Sequence, residues 1–253
     1  MHTSLGGHAA LNVRTVQRQL AALLPEARPA GTGESTLEVA GQGMDAPRLI
    51  SATVLEKGPL RARRVFDSSA VGFRAFLDGT QRSEVASYLG GAPIVLGRVA
   101  AVVRERRNRR MHTWDVPLVE TRMYCPRAVL APADWATLRS AYGDALVDTS
   151  DGDTDITSHP FALRDAAVHR VQAHREALER RLAERWCAGA RDPLFIDGGI
   201  SGSEAVAVSG CTVGVVKSHR TLYAEGDALA AVLALDRSRW PSASTAASAS
   251  PSA

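Results

Sequence analysis

Lysine is scarce in this chain of 253 residues, because Lys57 and Lys217 are the only lysines among 30 basic side chains. Arginine therefore supplies almost all of the positive charge, and clustered arginines suit bidentate hydrogen bonding to phosphate. Aromatic residues make up only 5% of the sequence, so a core must be built mainly from Ala, Val, Leu and Ile. The net charge of +3 is too small to establish nucleic-acid binding by itself.

Cysteines and long apolar runs are also few. Cys125, Cys187 and Cys211 have neither metal-ligand spacing nor the even number that a disulfide framework needs, which favours a reducing, cytoplasmic setting. We expect no signal peptide, because the N-terminus has no charged segment followed by an apolar core. No apolar run approaches the roughly 20 residues needed to span a membrane, so we expect no membrane association.

Two apolar stretches end in the same dipeptide, Asp-Gly. Residues 73–77 alternate with a period of two, which predicts a half-buried strand that stops and turns at Asp78-Gly79. Residues 193–199 repeat this arrangement and predict a strand that ends at Asp197. If the two strands are neighbours in one sheet, the two carboxylates lie side by side, as divalent cations require. The alternative is that both aspartates merely begin loops, because Asp-Gly is a common turn.

A basic run follows the first of these strands. Residues 92–104 are almost continuously apolar and predict a buried strand, although their latter half also allows a helix. The run then enters a window with five arginines, namely Arg104, Arg106, Arg107, Arg109 and Arg110. Residues 114–122 predict a third strand that returns from this window. The arginines are therefore interpreted as a phosphate-contacting loop or as an ordinary solvated hairpin tip.

Helices are predicted at residues 11–24, 132–146 and 161–187. In the third helix an apolar stripe recurs at helical spacing, formed by Val168, Val171, Leu178, Leu182 and Trp186. Glu179 borders this stripe and is placed to approach a metal site at a sheet edge, or else it is one more surface charge. Glu176 projects nearly opposite the stripe and is expected to face solvent.

The chain order predicts a mixed α/β sheet in which the first three strands are antiparallel. Residues 1–60 form an N-terminal helix and an irregular subregion, residues 61–240 the main domain, and residues 241–253 a low-complexity tail that should be disordered. Residues 211–216 predict a strand, and Lys217 and His219 lie at its end. Lys217 is interpreted as a cation set against a scissile phosphate, or as a solvent-facing or ion-paired lysine.

Three motifs in this order resemble those of the NurA nucleases: Phe-Leu-Asp78-Gly-Thr, Phe-Ile-Asp197-Gly-Gly and Gly214-Val-Val-Lys217-Ser218-His219. The resemblance covers residues 65–223 and implies an RNase H-like fold with manganese-dependent cleavage of DNA, Mg²⁺ being the alternative ion. It also implies a role in DNA end resection and repair beside a hexameric HerA-type ATPase, and we expect a homodimer.

By the same resemblance, Asp78, Asp197 and a helix glutamate become metal ligands. Glu179 is preferred over Glu176 for the third position because of its place on the helix. The chain departs from the family pattern at the residues after the two Asp-Gly pairs, where threonine and glycine replace serine. The late histidine of the family has no counterpart after Trp240, so we expect a truncated C-terminus, and whether His219 substitutes for that histidine is open.

Two other functions are compatible with these residues. One is a non-catalytic DNA-binding or scaffold subunit that keeps the fold with a degenerate site. The other is a different RNase H-like nuclease or a transposase-type enzyme that acts on RNA or DNA. Metal-dependent cleavage that Asp78→Ala abolishes separates the first of these from a nuclease.

Overall fold

The computed structural model describes residues 12–31, 36–37, 48–49, 73–150, 159–189, 192–200, 202–215 and 221–222, together with 226 and 229. Lys217 and His219 lie outside these residues, as do both predicted domain boundaries, at 60/61 and 240/241. The described residues fall into two compact units. The first lies within Met1–Gly43, Gly79–Ala100 and Val119–Ala177, and the second within Met44–Asp78, Ala101–Leu118 and Leu178–Ala253.

The described residues form four α-helices and ten strands. The helices are α1 (Val13–Leu23), α2 (Pro132–Tyr142), α3 (Pro160–Gly189) and α4 (Glu204–Val208). The strands are β1 (Arg28–Pro29), β2 (Thr36–Leu37), β3 (Arg48–Leu49), β4 (Ala75–Leu89), β5 (Ala92–Arg107), β6 (Arg110–Cys125), β7 (Leu146–Asp148), β8 (Leu194–Asp197), β9 (Thr212–Val215) and β10 (Thr221–Leu222). Within this part of the chain, eight strands make one mixed sheet flanked by helices, and β3 pairs separately with β10.

In the first unit, β7, β6, β5 and β4 are neighbours in that order, and β1 and β2 pair antiparallel with β4. Helix α1 begins where the side chain of Asn12 accepts a hydrogen bond of 2.8 Å from the backbone N–H of Thr15. The helix buries Val16 and Leu20 completely. They join an apolar core drawn from α1, α2 and several strands, which includes Ala86, Leu89, Ile94, Leu96, Met123 and Leu138.

In the second unit, the first residues of β4 pair in parallel with β8, and β8 pairs in parallel with β9. The C-terminal part of α3 buries Leu178, Leu182 and Trp186, which confirms the predicted apolar stripe. The indole N–H of Trp186 donates a hydrogen bond of 3.0 Å to the carbonyl of Asp192, just before β8. This bond satisfies the polar atom of a buried aromatic side chain and ties the end of the helix to the next strand.

Asp78-Gly79 does not end the first predicted strand, because β4 continues through both residues to Leu89. The turn falls instead at Gly90 and Gly91, whose φ values of 56° and 87° are left-handed. Two consecutive residues with positive φ suit a two-residue hairpin loop, and glycine adopts them without steric cost. The local turn preference of Asp-Gly is overridden because this stretch of chain is hydrogen-bonded to neighbouring strands in the sheet.

Two further boundaries differ from the sequence prediction. The run that begins at Ala92 is extended throughout and ends at Arg107, so the helical alternative for its latter half is wrong. Helix α2 ends at Tyr142, four residues before its predicted end. Gly143 follows with φ 53° and ψ −126°, a conformation that is open to glycine because it has no β-carbon, and Leu146 already belongs to β7.

No helix in the described part of the chain has both the length and the apolar content needed to cross a membrane.

Candidate functional site

The two predicted aspartates lie on neighbouring strands of the second unit. In the parallel pairing of β4 with β8, Leu77 lies opposite Ile196. Asp78 and Asp197 are the next residues along these two strands, and both are exposed. Neighbouring strands lie about 4.8 Å apart, so two carboxylates at the same level are within the span of one divalent cation. The predicted adjacency of the two strands is therefore confirmed.

Alternation along both strands places the aspartates on the more accessible side of the sheet. Leu77 and Ile196 are 3% and 8% exposed, whereas Asp78 and Asp197 follow them and point to the other face. The aromatic residues that precede the aspartates by two positions support this register. The rings of Phe76 and Phe195 have centroids 5.7 Å apart.

The turn after Asp197 depends on two glycines. Gly198 has a φ of 120°, and its N–H donates a hydrogen bond of 2.9 Å to the carbonyl of Val215 on β9. A β-carbon on Gly214 would lie 2.6 Å from the carbonyl oxygen of Gly198 and 3.1 Å from the side chain of Ile200. Gly214, part of the third motif, therefore lets the turn that carries Asp197 lie directly on β9.

Among the residues that the structure describes, no third carboxylate joins Asp78 and Asp197 in a metal-binding group. Glu179 is half-buried on α3 and Glu176 is exposed, as their positions around the helix predicted. Glu176 is in contact with its own helix, where its Oε1 accepts a hydrogen bond of 3.0 Å from the side chain of Gln172. Among the described residues, no group of three or more His, Cys, Asp or Glu side chains is placed to hold a metal ion. The assignment of either glutamate as a ligand stays a prediction.

The five arginines of the basic run lie at the tip of the β5–β6 hairpin. Arg104 lies within β5, and its guanidinium donates hydrogen bonds to the Oγ1 of Thr113, at 3.2 Å, and to the carbonyl of Met111, at 3.1 Å. Arg107 forms a hydrogen-bonded ion pair with Glu105, in which Nη2 lies 2.6 Å from Oε2. The hydrogen bond from Arg107 to the Glu105 carboxylate raises the pKa of Arg107. These two arginines therefore have structural partners inside the hairpin.

The other three arginines at the tip, Arg106, Arg109 and Arg110, are exposed. Within the described residues, their side chains have no hydrogen bond or ion pair. Asn108 and Arg109 form the two-residue turn, with φ values of 50° and 64°. For Asn this left-handed conformation is common, but for Arg109 it costs about 1–2 kcal/mol.

A second polar cluster, in the first unit, was not found by sequence reasoning. The hydroxyl of Tyr124 lies 2.7 Å from Nδ1 of His174, and Nε2 of His174 lies 2.9 Å from Oε2 of Glu120. Burial raises the pKa of Tyr124, so the phenol stays protonated and can share a hydrogen bond with Nδ1. Nε2 of His174 is hydrogen-bonded to the carboxylate of Glu120 at the other end of the ring. No spacing in the sequence indicates this cluster, because its members lie on β6 and α3.

The carboxylate of Glu120 has a second partner in this cluster. Arg122 donates a hydrogen bond of 2.8 Å to the same Oε2. Burial on its own would raise the pKa of Glu120, but the hydrogen bonds from Arg122 and His174 outweigh it, and the pKa lies below its usual value. The cluster therefore holds an ionised carboxylate between β6 and α3.

No protein-family model matches this chain, and no curated protein matches it either.

Proposed function

We propose that this protein is a divalent-metal-dependent DNA nuclease with an RNase H-like fold of the NurA type. The observation that carries the proposal is the register of β4 and β8, in which Asp78 and Asp197 follow the paired residues Leu77 and Ile196. Two exposed carboxylates at one level of a rigid sheet are hard oxygen donors, which Mn²⁺ and Mg²⁺ prefer. The donor chemistry therefore fits the ion that the motifs imply.

The strand arrangement supports the RNase H-like assignment. Strands β4, β5 and β6 are joined by two-residue turns, at Gly90-Gly91 and at Asn108-Arg109, and such short connections join antiparallel strands. Strands β8 and β9 then continue the sheet in parallel with β4. The resulting order, β6–β5–β4–β8–β9, has three antiparallel strands followed by two that run parallel to the first.

In this proposal Asp78 and Asp197 hold the cation, and the turn at Gly198 fixes the position of Asp197 against β9. The ion that these residues would hold would supply an activated water and would stabilise charge on the leaving oxygen of a phosphodiester. The third carboxylate is proposed to be Glu179, with Glu176 as the alternative. Lys217 and His219 are proposed to neutralise developing charge, and these two roles rest on the sequence motif alone.

The exposed tip of the basic hairpin supports nucleic acid as the substrate. Arg109 keeps a long charged side chain in a left-handed turn position where glycine would relieve about 1–2 kcal/mol of strain. A strained residue that retains its charge suggests a role for that charge. With Arg106 and Arg110 it presents three accessible guanidinium groups, which suit contacts with phosphate oxygens.

The proposed partners follow from the resemblance to the NurA nucleases. They are DNA, a hexameric HerA-type ATPase and a second copy of this chain, and the proposed role is DNA end resection. Size-exclusion chromatography with light scattering tests for the homodimer directly.

A cleavage assay tests the proposal. Single-stranded DNA, double-stranded DNA and RNA of the same sequence are incubated with the purified chain and Mn²⁺, Mg²⁺ or EDTA. We expect cleavage of DNA with Mn²⁺, less with Mg²⁺ and none with EDTA, and no cleavage by Asp78→Asn. Equal cleavage of RNA would favour another RNase H-like nuclease or a transposase-type enzyme.

A non-catalytic DNA-binding subunit is the second candidate, because the exposed arginine tip suffices for binding without any chemistry. Electrophoretic mobility shifts at increasing salt measure this binding. If the wild type binds DNA but leaves it intact with Mn²⁺, and Asp78→Asn binds equally well, the chain is a binding subunit rather than a nuclease.

A further inference from the structure

Two cysteines of the second unit have their sulfur atoms in contact. Cys187 lies in the last turn of α3, and Cys211 immediately precedes β9. Their Sγ atoms are 3.6 Å apart, although the residues are separated by 24 positions in the sequence. A disulfide bond is about 2.05 Å long, so a relative movement of roughly 1.5 Å would bring the two sulfurs to bonding distance.

Both thiols are held in place by the surrounding backbone. The carbonyl of Cys211 accepts a hydrogen bond of 2.8 Å from the N–H of Leu194, which fixes it beside β8. The Oγ of Ser209 lies 3.4 Å from Sγ of Cys211. Cys187 directly follows the buried Trp186, whose indole is anchored to the backbone of Asp192. The proximity of the two sulfurs is thus part of the packed structure.

The third cysteine of the chain has a different environment. Cys125 is completely buried on β6, and burial raises its pKa to about 12. Cys187 and Cys211 are only half-buried, so a small oxidant has access to them. Reactivity towards oxidants requires both a thiolate and access, and Cys125 has neither under native conditions.

We propose that Cys187 and Cys211 are a reversible oxidation site that closes to an intramolecular disulfide on exposure to a hydroperoxide. With hydrogen peroxide as the hydroperoxide, one thiolate attacks a peroxide oxygen to form a sulfenic acid, the oxygen–oxygen bond breaks, and the departing hydroxide takes up the proton that the thiol lost and leaves as water. The second thiol attacks this sulfenic sulfur, the sulfur–sulfur bond forms, and a second water leaves. The dithiol loses two electrons and two protons, and hydrogen peroxide is reduced to two waters.

The disulfide would join the end of α3 to the start of β9 and would enclose β8, which carries Asp197. Burial raises the pKa of Cys187, which lowers its thiolate fraction and therefore slows any first attack on the oxidant by this residue. Closing this loop restricts the unfolded chain, so the oxidised protein should unfold at a higher temperature than the reduced one. The proposal does not depend on the nuclease assignment, because thiol content and peptide mass report on it directly.

The test compares the reduced full-length chain before and after treatment with hydrogen peroxide. Free thiols are counted in denaturant, and tryptic peptides are analysed by mass spectrometry without reduction. We expect the count to fall from three thiols to one, with a linked peptide containing Cys187 and Cys211 that is lighter by two hydrogens. Dithiothreitol should restore all three thiols.

Cys125→Ser is the matched control and should still lose two thiols, whereas Cys187→Ser and Cys211→Ser should form no intramolecular link. Because the wild-type mass spectrum alone identifies the linked peptide, the test does not require either of the last two variants to fold. Three thiols after oxidation, a loss that dithiothreitol does not reverse, or a link to Cys125 would each overturn the proposal.

Discussion

Asp78 and Asp197 each directly follow one member of a paired position, because Leu77 on β4 lies opposite Ile196 on the parallel strand β8. The two aspartates are separated by more than a hundred residues of sequence, and the sheet brings them to one level. Leu77 and Ile196 anchor both strands in the interior, so the positions of the carboxylates are set by buried neighbours. A site built on strands in this way is more rigid than one built on loops.

The first prediction concerns these two carboxylates. Asp78→Asn and Asp197→Asn should each lower Mn²⁺-dependent DNA cleavage by at least about 100-fold, because loss of a direct ligand should cost no less than loss of an outer-shell partner. Asp165→Asn, which changes an exposed aspartate on α3, is the matched control and should leave the rate unchanged. Initial rates on a labelled oligonucleotide measure the effect. Wild-type rates in both variants would remove the two aspartates from the site.

The second prediction concerns the strained turn residue of the basic hairpin. Arg109→Gly should stabilise the protein by about 0.5–1 kcal/mol, since glycine relieves the left-handed strain but has greater freedom when unfolded. The same substitution should weaken DNA binding. It should also reduce the steepness with which the logarithm of the binding constant falls against the logarithm of the salt concentration (the salt slope) by about one unit, because one phosphate contact is lost. Urea unfolding and binding titrations at several salt concentrations measure the two effects.

Arg110→Gly is the control for this substitution, because it removes the same charge from a residue with regular strand geometry. It should weaken DNA binding to a similar degree but should lower stability, since glycine is unfavourable within a strand. If Arg109→Gly leaves the salt slope unaltered, the hairpin tip is an ordinary solvated turn.

The third prediction tests the close approach of the Asp197 turn to β9. Gly214→Ala adds a methyl group 2.6 Å from the carbonyl oxygen of Gly198, so the backbone must move. We expect a loss of about 1–3 kcal/mol in stability and weaker Mn²⁺ binding, as measured by urea unfolding and by calorimetric titration. Gly202→Ala is the control, since its nearest neighbour, a side-chain nitrogen of Arg180, lies at an ordinary 3.6 Å. A fully stable Gly214→Ala variant would contradict the packing described for this turn.

Patterns with a strong period could be predicted from the sequence. The alternation before Asp78 and before Asp197 predicted the strands that became β4 and β8. The apolar stripe on α3 predicted the buried face of that helix and the exposure of Glu176. In each case apolar residues recur at the spacing of the buried face of a strand or helix, so the sequence pattern indicates the element directly. These patterns are local and are therefore visible in one sequence.

Apart from the pairing of β4 with β8, which the matching Asp-Gly contexts indicated, features that depend on pairing with distant segments could not be predicted. Asp78-Gly79 has the composition of a turn, but hydrogen bonds to neighbouring strands keep it extended within β4. The contacts of His174 with Tyr124 and Glu120 span 50 and 54 positions of sequence. The sulfurs of Cys187 and Cys211 likewise meet only after α3 and β9 have packed. No local propensity encodes such contacts.

The fourth prediction concerns the pH dependence of stability that arises from Glu120. Its pKa is lower in the folded protein than in the unfolded chain, so at a given acidic pH the folded state binds fewer protons than the unfolded chain. The stability that this carboxylate contributes is therefore fully present above the ordinary glutamate pKa of 4.5 and is lost as the pH falls through the folded pKa. Glu120→Gln keeps an acceptor oxygen but removes the charge.

The difference in unfolding free energy between wild type and Glu120→Gln should therefore be constant near neutral pH and should shrink as the pH falls below about 5. Because Glu120 is partly exposed, the plateau difference should be no more than about 1 kcal/mol. Glu26→Gln, which changes an exposed glutamate in the turn after α1, is the control and should show no such trend. Urea titrations between about pH 3.5 and 7.5 measure both curves. A difference that grows as the pH falls would mean that burial, which disfavours the charged form, dominates over the hydrogen bonds from Arg122 and His174.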